Sequence, residues 1–362
     1  MIDFTRDSRL TQPSSKPAKN AEVLAKNAYA ALQKADTLFA TGKFSDATNF
    51  YKKSLEAYRG AGDSQGTALS LARLGRAEEI LGEYDKAREV YKESLKIFEN
   101  LSDLQGIARS KAHLGNLCWA TGDYHEAAKF LDEALHLYCV GEDIPGQAWV
   151  HDLMGNLRLA MRDDKEAERL YLEAYSLVED LGVNLENSSW NHFHLGTVAL
   201  FREDLAKARE RFLESFQIFT KVRDDLGQVV SLIHLGEIAC TLKEFGEAEQ
   251  YFQMAITMAL PTQCKPLLAD ALVGVAQLLK AQKNEKKAIS ILMVALSHPT
   301  CRQQTKDRMV DLVMHLESSF SRSDLEGGFK WAKELSIEDI ASSWVSATAK
   351  ENPNKARKNK RG

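Results

Sequence analysis

The sequence predicts an all-α protein, a right-handed α-solenoid of about seven to eight helical hairpins followed by a C-terminal capping helix. The main observation is a repeat, in which a glycine or alanine is followed by an alanine twelve residues later and by an aromatic residue or leucine sixteen residues later. A fixed period of this kind is typical of a solenoid, whose hairpins pack on their neighbours. The frame recurs, at steps of 40 or 41 residues, from Gly75, Gly115, Gly155, Gly196, Gly236 and, in degenerate form, Ala276.

Composition favours the same fold class. Hydrophobic residues make up 44% and charged residues 27% of the 362 residues, which is ordinary for a soluble helical protein. No apolar stretch approaches the ~20 residues of a membrane span, and the N-terminus lacks the apolar core of a signal peptide. The five cysteines lie far apart without a CxxC pair, so they indicate free thiols rather than a zinc ribbon or a disulfide framework. We therefore expect a cytoplasmic protein.

The three positions of the frame indicate how each hairpin packs. Gly75 and Ala87 allow its two helices to approach closely, and Tyr91 fills the space between neighbouring hairpins. The sequence therefore predicts that the small and the large residue of each copy lie in direct contact.

The links between helices carry their own signals. Gly82 and Gly122 stand where a glycine can take the left-handed conformation that ends a helix. Asp103 and Asp143 are candidate N-caps of the following first helices. The segment Gly60–Gly66 resembles a phosphate-binding loop only superficially, because its spacing is wrong and it follows a helix. It is interpreted as a turn between hairpins.

Taken in order, the helical body is expected to span 21–349. A weak first hairpin at 21–60 caps the open end of the stack, and regular repeats follow at 65–259. Degenerate repeats and a cap occupy 261–349, including an eighth pair of helices at Thr305–Phe320 and Leu325–Leu335. A capping box at Ser336 opens a last helix. Because each hairpin buries its face against its neighbours, we expect one continuous unit.

Both ends of the chain are expected to lack regular structure. Residues 1–20 read as a flexible leader, and residues 350–362 as a basic disordered tail. The last thirteen residues have a net charge of +5, which leaves −9 for the rest. The acidic body and the lack of a basic stripe in its repeats argue against nucleic acid as a partner. The sequence leaves the oligomeric state open.

These residues resemble the tetratricopeptide repeat, in its longer forty-residue variant. The likeness rests on Leu74, Gly75, Ala87 and Tyr91, and on their counterparts in the following copies. The segment GDYHEA at 122–127 resembles arrays of large bacterial signalling regulators and animal polarity adaptors. The resemblance implies a solenoid of paired helices whose first helices line a concave groove that binds proteins or peptides.

No motif supports an enzyme, a metal site or a cofactor. His192 and His194 are two residues apart, so on a helix they diverge by about 200° and cannot share a metal ion. His113, His194 and His234 occupy the same repeat position, and equivalent positions lie at least one repeat apart. The sequence predicts a non-enzymatic protein.

Candidate binding residues lie on the first helix of each hairpin, at positions spaced 0, +3, +7 and +10, which share one face. We call this face the first-helix stripe. Three of the chain's five tryptophans fall on it, and tryptophan and arginine dominate the energetics of many interfaces. The predicted partner-binding residues are Arg76, Arg109, Asn116, Trp119, Trp149, Asp152, Asn156, Trp190 and Phe193.

Two functions remain open. The first is a scaffold or regulator that holds a peptide or partner protein in the groove, where Asn116 and Asn156 grip successive peptide groups. We expect both amides to be solvated in the free protein. The second is a sensor in which a ligand or signalling peptide changes the solenoid pitch and exposes a partner surface. For each tryptophan, packing between adjacent first helices competes with ligand contact.

Overall fold

A computed structural model describes residues 19–179, 185–317 and 335–351, and throughout these ranges every regular element is helical. Sixteen α-helices and one 3₁₀ turn at Leu260–Thr262 account for them, and the first fourteen helices form seven hairpins. Their bounds are α1 Lys19–Ala40, α2 Phe44–Ala61, α3 Ser64–Ile80, α4 Tyr84–Asn100, α5 Leu104–Thr121, α6 Tyr124–Val140, α7 Ile144–Ala160, α8 Asp164–Glu179, α9 Leu185–Phe201, α10 Leu205–Val222, α11 Asp225–Thr241, α12 Phe245–Ala259, α13 Lys265–Ala281, α14 Glu285–Ser297, α15 Gln303–Glu317 and α16 Ile337–Glu351.

The packing code of the sequence is confirmed. A Cβ atom built on Gly75 would lie 2.6 Å from Cε1 of Tyr91, and one built on Gly155 would lie 2.4 Å from Cε1 of Tyr171. No real Cβ contact is this short, so the aromatic ring occupies the space that a side chain would need. Ala87 is fully buried in the same contact layer. The frame therefore encodes the close approach of two helices.

The turns within hairpins are also as expected, with one addition. Gly82 and Gly122 take φ values of 79° and 90°. The same left-handed turn is made at the equivalent position by Arg162, Glu203 and Lys243, with φ between 61° and 65°. The left-handed conformation costs a non-glycine residue about 1–2 kcal/mol, and the packing of the hairpin holds the turn in place where the sequence has no glycine.

The predicted caps connect neighbouring hairpins. Oδ1 of Asp103 accepts a hydrogen bond from the Gly106 backbone at 3.0 Å, and its Oδ2 accepts one from Gln65 of the previous hairpin at 3.2 Å. Asp143 repeats the arrangement, with Gln105 as its neighbour. Each aspartate therefore begins a helix and also fixes the register between two hairpins.

The chain divides after Val222 into two compact units, although the repeat frame continues through that point. The first unit contains hairpins 1 to 5, and the second contains hairpins 6 and 7 with α15 and α16. None of the helices in the described ranges is long and apolar enough to cross a membrane. The domain bounds drawn from the sequence stay a prediction.

The C-terminal elements follow the sequence where they are described. The capping box is confirmed, because Oγ of Ser336 accepts from the Asp339 backbone at 3.1 Å while Asp339 accepts from the Ser336 backbone at 3.2 Å. The first helix of the expected eighth pair is α15. Its second helix, the leader as far as residue 18, the insertion at 180–184 and the tail from residue 352 lie outside the described residues.

Candidate functional site: the first-helix stripe

All nine predicted binding residues lie on α3, α5, α7 and α9 of the first unit, and each is half-buried. Contacts between neighbouring first helices join them into one surface. Arg76 on α3 lies over the ring of Phe39 on α1, 4.7 Å from the ring centroid. Nε1 of Trp119 on α5 donates a hydrogen bond to the backbone carbonyl of Asn156 on α7, over 3.1 Å. The stripe is therefore continuous from one hairpin to the next.

The tryptophans have a packing role as well as a surface. Trp149 meets the His113 ring edge-on, with ring centroids 4.9 Å apart, and His113 stacks flat on Tyr91 at the same distance. Burial lowers the pKa of His113 well below its usual value, with the guanidinium groups of Arg76 and Arg109 adding to the effect, so this imidazole is neutral. Trp149 therefore packs between adjacent first helices, which is the role that competes with ligand contact for the tryptophans of the stripe.

The expectation that both asparagine amides are solvated is wrong. Nδ2 of Asn116 donates to Glu79 of the previous hairpin. Oδ1 of Asn156 accepts from the hydroxyl of Tyr171 at 2.9 Å. Tyr91 makes a similar bond, at 2.8 Å, to Glu79, which lies one stripe position further along than the counterpart of Asn156. The large residue of the frame is long enough, when it is tyrosine, to reach the stripe, and this signal was present in the sequence.

In hairpins 4 and 5, two residues of the stripe, Asn156 and Trp190, lie beside two residues next to it, Tyr171 and His194. The ring of His194 stacks on Tyr171 with centroids 4.4 Å apart, and the same tyrosine bonds Asn156. Trp190 lies 5.9 Å from His194 and packs edge-on against Phe219 at 4.9 Å. Sequence reasoning considered His194 only as a metal ligand and rejected it. In the structure its ring lines this site, between Tyr171 and Trp190.

Three buried polar atoms on α7 and α9 form no hydrogen bond with any residue of the described ranges. They are Oδ1 of Asp152, Nε1 of Trp190 and Nδ1 of His194. Burial raises the pKa of Asp152 to about 7 and lowers the pKa of His194 to about 3. Because buried polar atoms in folded proteins are nearly always hydrogen-bonded, such a concentration indicates a place where a ligand supplies the missing partners.

A pocket lies at the other end of the stripe, over hairpins 1 to 3. Its polar lining includes Asp36, Arg73, Arg76, Arg109 and His113. Arg73 forms an ion pair with Asp36, which also accepts a hydrogen bond from Tyr51. Asp36 was missed in the sequence because the first hairpin has lost the Leu-Gly pair that locates the frame, and Arg73 was missed because it lies one position away from the stripe, directly before Leu74.

The repeat frame that positions this stripe also identifies the protein family. The profile of the tetratricopeptide repeat family matches residues 27–100, 106–180 and 186–260, which is more than half of the chain. The chain belongs to the tetratricopeptide repeat family. This family is associated with protein interaction and its fold is typically non-catalytic. Among curated proteins, none matches the sequence.

Solved structures similar to this tetratricopeptide repeat protein are distant in sequence. A Rap protein complexed with Competence and Sporulation Factor gives a TM-score of 0.59 at 12% identity, covering 88% of this chain and 99% of that one. The Rap conjugation gene regulator of plasmid pLS20, complexed with a Phr peptide, gives 0.61 at 12% identity, covering 87% and 81%. A signal transduction ATPase of Pyrococcus horikoshii with a tetratricopeptide repeat sensor gives 0.53 at 13% identity, covering 97% and 55%. These likenesses show a shared fold.

One cluster in the tetratricopeptide array has the composition of a metal site. Ligand atoms of Cys118, Asp123 and Glu126 lie within 4.8 Å of one another. The guanidinium of Arg88 already lies among them, 3.3 Å from Asp123 and 3.7 Å from Cys118. Burial raises the pKa of the Cys118 thiol to about 11, which disfavours the thiolate that binds metals. The arrangement is that of an arginine-centred polar cluster.

Proposed function

We propose that this protein is a non-enzymatic scaffold or regulator that binds a peptide or a segment of a partner protein over the first-helix stripe of hairpins 2 to 5. The observation that carries the proposal is a group of three buried polar atoms, on Asp152, Trp190 and His194, that form no hydrogen bond within the part of the chain that the structure describes. Leaving such an atom unsatisfied costs about 1–3 kcal/mol, so a ligand that bonds all three gains substantially.

The surroundings of these atoms suit a peptide. Trp149, Trp190 and Phe193 offer half-buried aromatic surface beside the polar atoms. This combination of apolar area with a few directional polar groups is typical of recognition sites. Two of the structures with this fold are complexes with signalling factors or peptides, which supports the same use here.

The stripe residues then divide into two groups. Asn116 and Trp119 mainly hold the surface together, because their polar groups bond neighbouring hairpins. Asp152, Asn156, Trp190 and His194 face the ligand. Asn156 combines both roles, since its Oδ1 is taken by Tyr171 while no hydrogen bond is formed by its Nδ2 in the described residues. A cytoplasmic location stays a prediction, and five free cysteines support it.

Replacing Trp190 by Phe tests the proposal. The change keeps an aromatic ring against Phe219, removes the N–H donor and shortens the side chain by one fused ring, so the melting temperature should fall only modestly, and affinity is measured well below it. After a partner is identified by pull-down and mass spectrometry, calorimetry with the purified partner should show binding weakened about five- to 150-fold. Trp344→Phe on α16 is the matched control and should bind as the original protein does.

Unchanged affinity in Trp190→Phe would remove the stripe of hairpins 4 and 5 from the binding site. Small-angle scattering during the same titration separates the two functions that the sequence left open. A sensor changes its radius of gyration when the ligand binds, whereas a rigid scaffold keeps it.

A further inference from the structure

The first-helix stripe carries several carboxylates, and they differ in the groups that pair with them. In hairpins 1 and 7, Ala35 and Ala276 stand in place of the frame glycine, and the same spacing adds Asp36 and Asp270 to the stripe. The carboxylates of the stripe are Asp36, Glu79, Asp152, Glu237 and Asp270. A carboxylate taken out of water needs donors in its place, so each of these residues shows which donor the fold supplies there.

Arginine is the commonest partner of these carboxylates. Ion pairs join Arg73 to Asp36, Arg302 to Asp270 and Arg308 to Glu237. The first arginine comes from the next hairpin, and the other two come from α15 and the residue before it. Glu79 instead accepts hydrogen bonds from Tyr91 and Asn116. A guanidinium suits this half-buried surface because it is less strongly hydrated than an ammonium and donates several N–H groups in one plane.

Asp152 differs from the other carboxylates of the stripe. Its Oδ1 atom is buried, and it forms neither a hydrogen bond nor an ion pair with a side chain of the described ranges. Burial, and then the charge of Asp152, raise the pKa of Tyr171, so the carboxylate lies close to the ring on which His194 stacks. His194 is neutral and adds no positive charge here. The stripe of hairpin 4 therefore presents a carboxylate for which the described residues supply no arginine.

The two other buried atoms of this site indicate what carries the cation. Nδ1 of His194 accepts a hydrogen bond when the ring proton is on Nε2, whereas Nε1 of Trp190 only donates. A guanidinium offers donors to Asp152 and His194, but it offers no acceptor to Trp190. A peptide that contains an arginine supplies both, because its backbone carbonyls accept hydrogen bonds. A free guanidine or a polyamine would leave the Trp190 donor unsatisfied.

We propose that the stripe of hairpins 4 and 5 selects a peptide segment that carries an arginine side chain, with the guanidinium binding Asp152 and a backbone carbonyl binding Trp190. The inference rests on the proposed function and names its ligand class. The ligand supplies to Asp152 from outside what Arg308 supplies to Glu237 within the second unit.

The test uses acetylated heptapeptides with a fluorophore at the C-terminus, titrated with the purified protein and followed by fluorescence anisotropy. The central residue is arginine, citrulline or lysine, and every other position is an equal mixture of Ala, Leu, Ser and Tyr. Citrulline keeps the shape of arginine and removes its charge. The arginine mixture should bind about tenfold or more tightly than the citrulline mixture, and more tightly than the lysine mixture.

Two variants separate the two contacts. Asp152→Asn should bind the arginine and citrulline mixtures equally, because the charge that distinguishes them is gone. Trp190→Phe should bind both mixtures more weakly and keep the ratio between them, because the indole N–H contacts the backbone that the mixtures share. Asp132→Asn, an exposed change of the same kind on α6, should leave both affinities unchanged.

Equal affinity for the arginine and citrulline mixtures, or an intact arginine preference in Asp152→Asn, overturns the inference. A lysine mixture that binds as tightly as the arginine mixture also overturns it. Where Trp190→Phe still weakens binding in these cases, only the ligand class fails and the stripe stays the binding site. Binding that Trp190→Phe leaves unchanged overturns both. Without saturable binding of any mixture the ligand class fails, and calorimetry with the purified partner decides the proposed function separately.

Discussion

Hairpin 4 of the first unit and hairpin 6 of the second each carry a carboxylate on the first-helix stripe, Asp152 and Glu237. The pKa values of the two carboxyl groups are shifted in opposite directions. Burial acts against the charge of Glu237, but Arg308 and His234 outweigh it and lower the pKa of that carboxyl to about 2. Asp152 forms no ion pair with any other side chain in the described ranges, and burial raises its pKa to about 7. The difference shows that the repeat frame places a carboxylate on the stripe without deciding whether it serves folding or binding.

The deciding contacts come from outside the frame. Arg308 is 71 residues from Glu237 and belongs to α15, which follows the last complete hairpin. Asp270 on α13 likewise bonds Arg302 and Thr305 at the start of α15. In the second unit a helix of the chain itself thus satisfies stripe carboxylates.

The largest expected effect comes from breaking the ion pair between Arg308 and Glu237. Arg308→Ala leaves the Glu237 carboxylate half-buried without its main partner, so the free energy of unfolding should fall by about 2–4 kcal/mol. The value is set below that of a fully enclosed pair because 35% of the Arg308 side chain remains exposed. Urea denaturation followed by circular dichroism measures it.

Arg202→Ala is the matched control for this comparison. Arg202 pairs with Asp164 and Glu168 at the surface, with 38% of its side chain exposed, so its loss should cost at most about 1 kcal/mol. Adding Glu237→Gln to Arg308→Ala should recover part of the stability, because it removes the buried charge. Equal losses in Arg308→Ala and Arg202→Ala would contradict the view that the Glu237 pair is structural.

The sequence predicts the hairpins well because their packing is local and periodic. Gly155 and Tyr171 are separated by a fixed interval, and only a glycine leaves room for the ring that the structure places there. The left-handed turn at Arg162 escapes the same reasoning, because no glycine marks it. The contacts of α15 follow from tertiary packing alone, so no periodicity could reveal them.

The position of the candidate site could be predicted from the sequence, but the charge state and hydrogen bonds of its residues could not. The spacing of the stripe locates Asp152, Asn156 and Trp190 on one face. It does not reveal that Asn156 bonds Tyr171, or that Oδ1 of Asp152 is buried without a hydrogen bond to any described residue, since both depend on side chains of neighbouring helices. Charge state and hydrogen bonding are properties of the packed site.

A smaller effect should separate the two carboxylates by their pH dependence. The pKa of Asp152 is higher in the folded than in the unfolded protein, so its charge destabilises the fold increasingly as pH rises from about 4 to about 7. Asp152→Asn should therefore raise the free energy of unfolding by about 1–2 kcal/mol at pH 8 and have little effect near pH 4.

Glu237→Gln should behave in the opposite way. The folded pKa of Glu237 lies below the unfolded value, so its contribution is present above about pH 4.5 and is lost as pH falls towards 2. Urea denaturation of both variants across this range measures the two slopes. Parallel pH profiles for the two variants would contradict the contrast between Asp152, whose charge destabilises the fold, and Glu237, whose charge is stabilised by Arg308.

The smallest effect tests whether the stripe of hairpin 4 is itself partly structural. The hydrogen bond from the Tyr171 hydroxyl to Oδ1 of Asn156 joins the two helices of that hairpin, over 2.9 Å. Asn156→Ala, Tyr171→Phe and the double variant form a cycle whose coupling energy should be about 1 kcal/mol, the ordinary net contribution of such a bond. Urea denaturation measures the stability of each variant, and Ser54→Ala, a buried change in hairpin 1 whose hydroxyl bonds the Ala28 carbonyl, should add independently to Tyr171→Phe. A coupling energy near zero would mean that the bond does not stabilise the fold, so that Asn156, like Asp152 and unlike Glu237 of hairpin 6, would have no structural role.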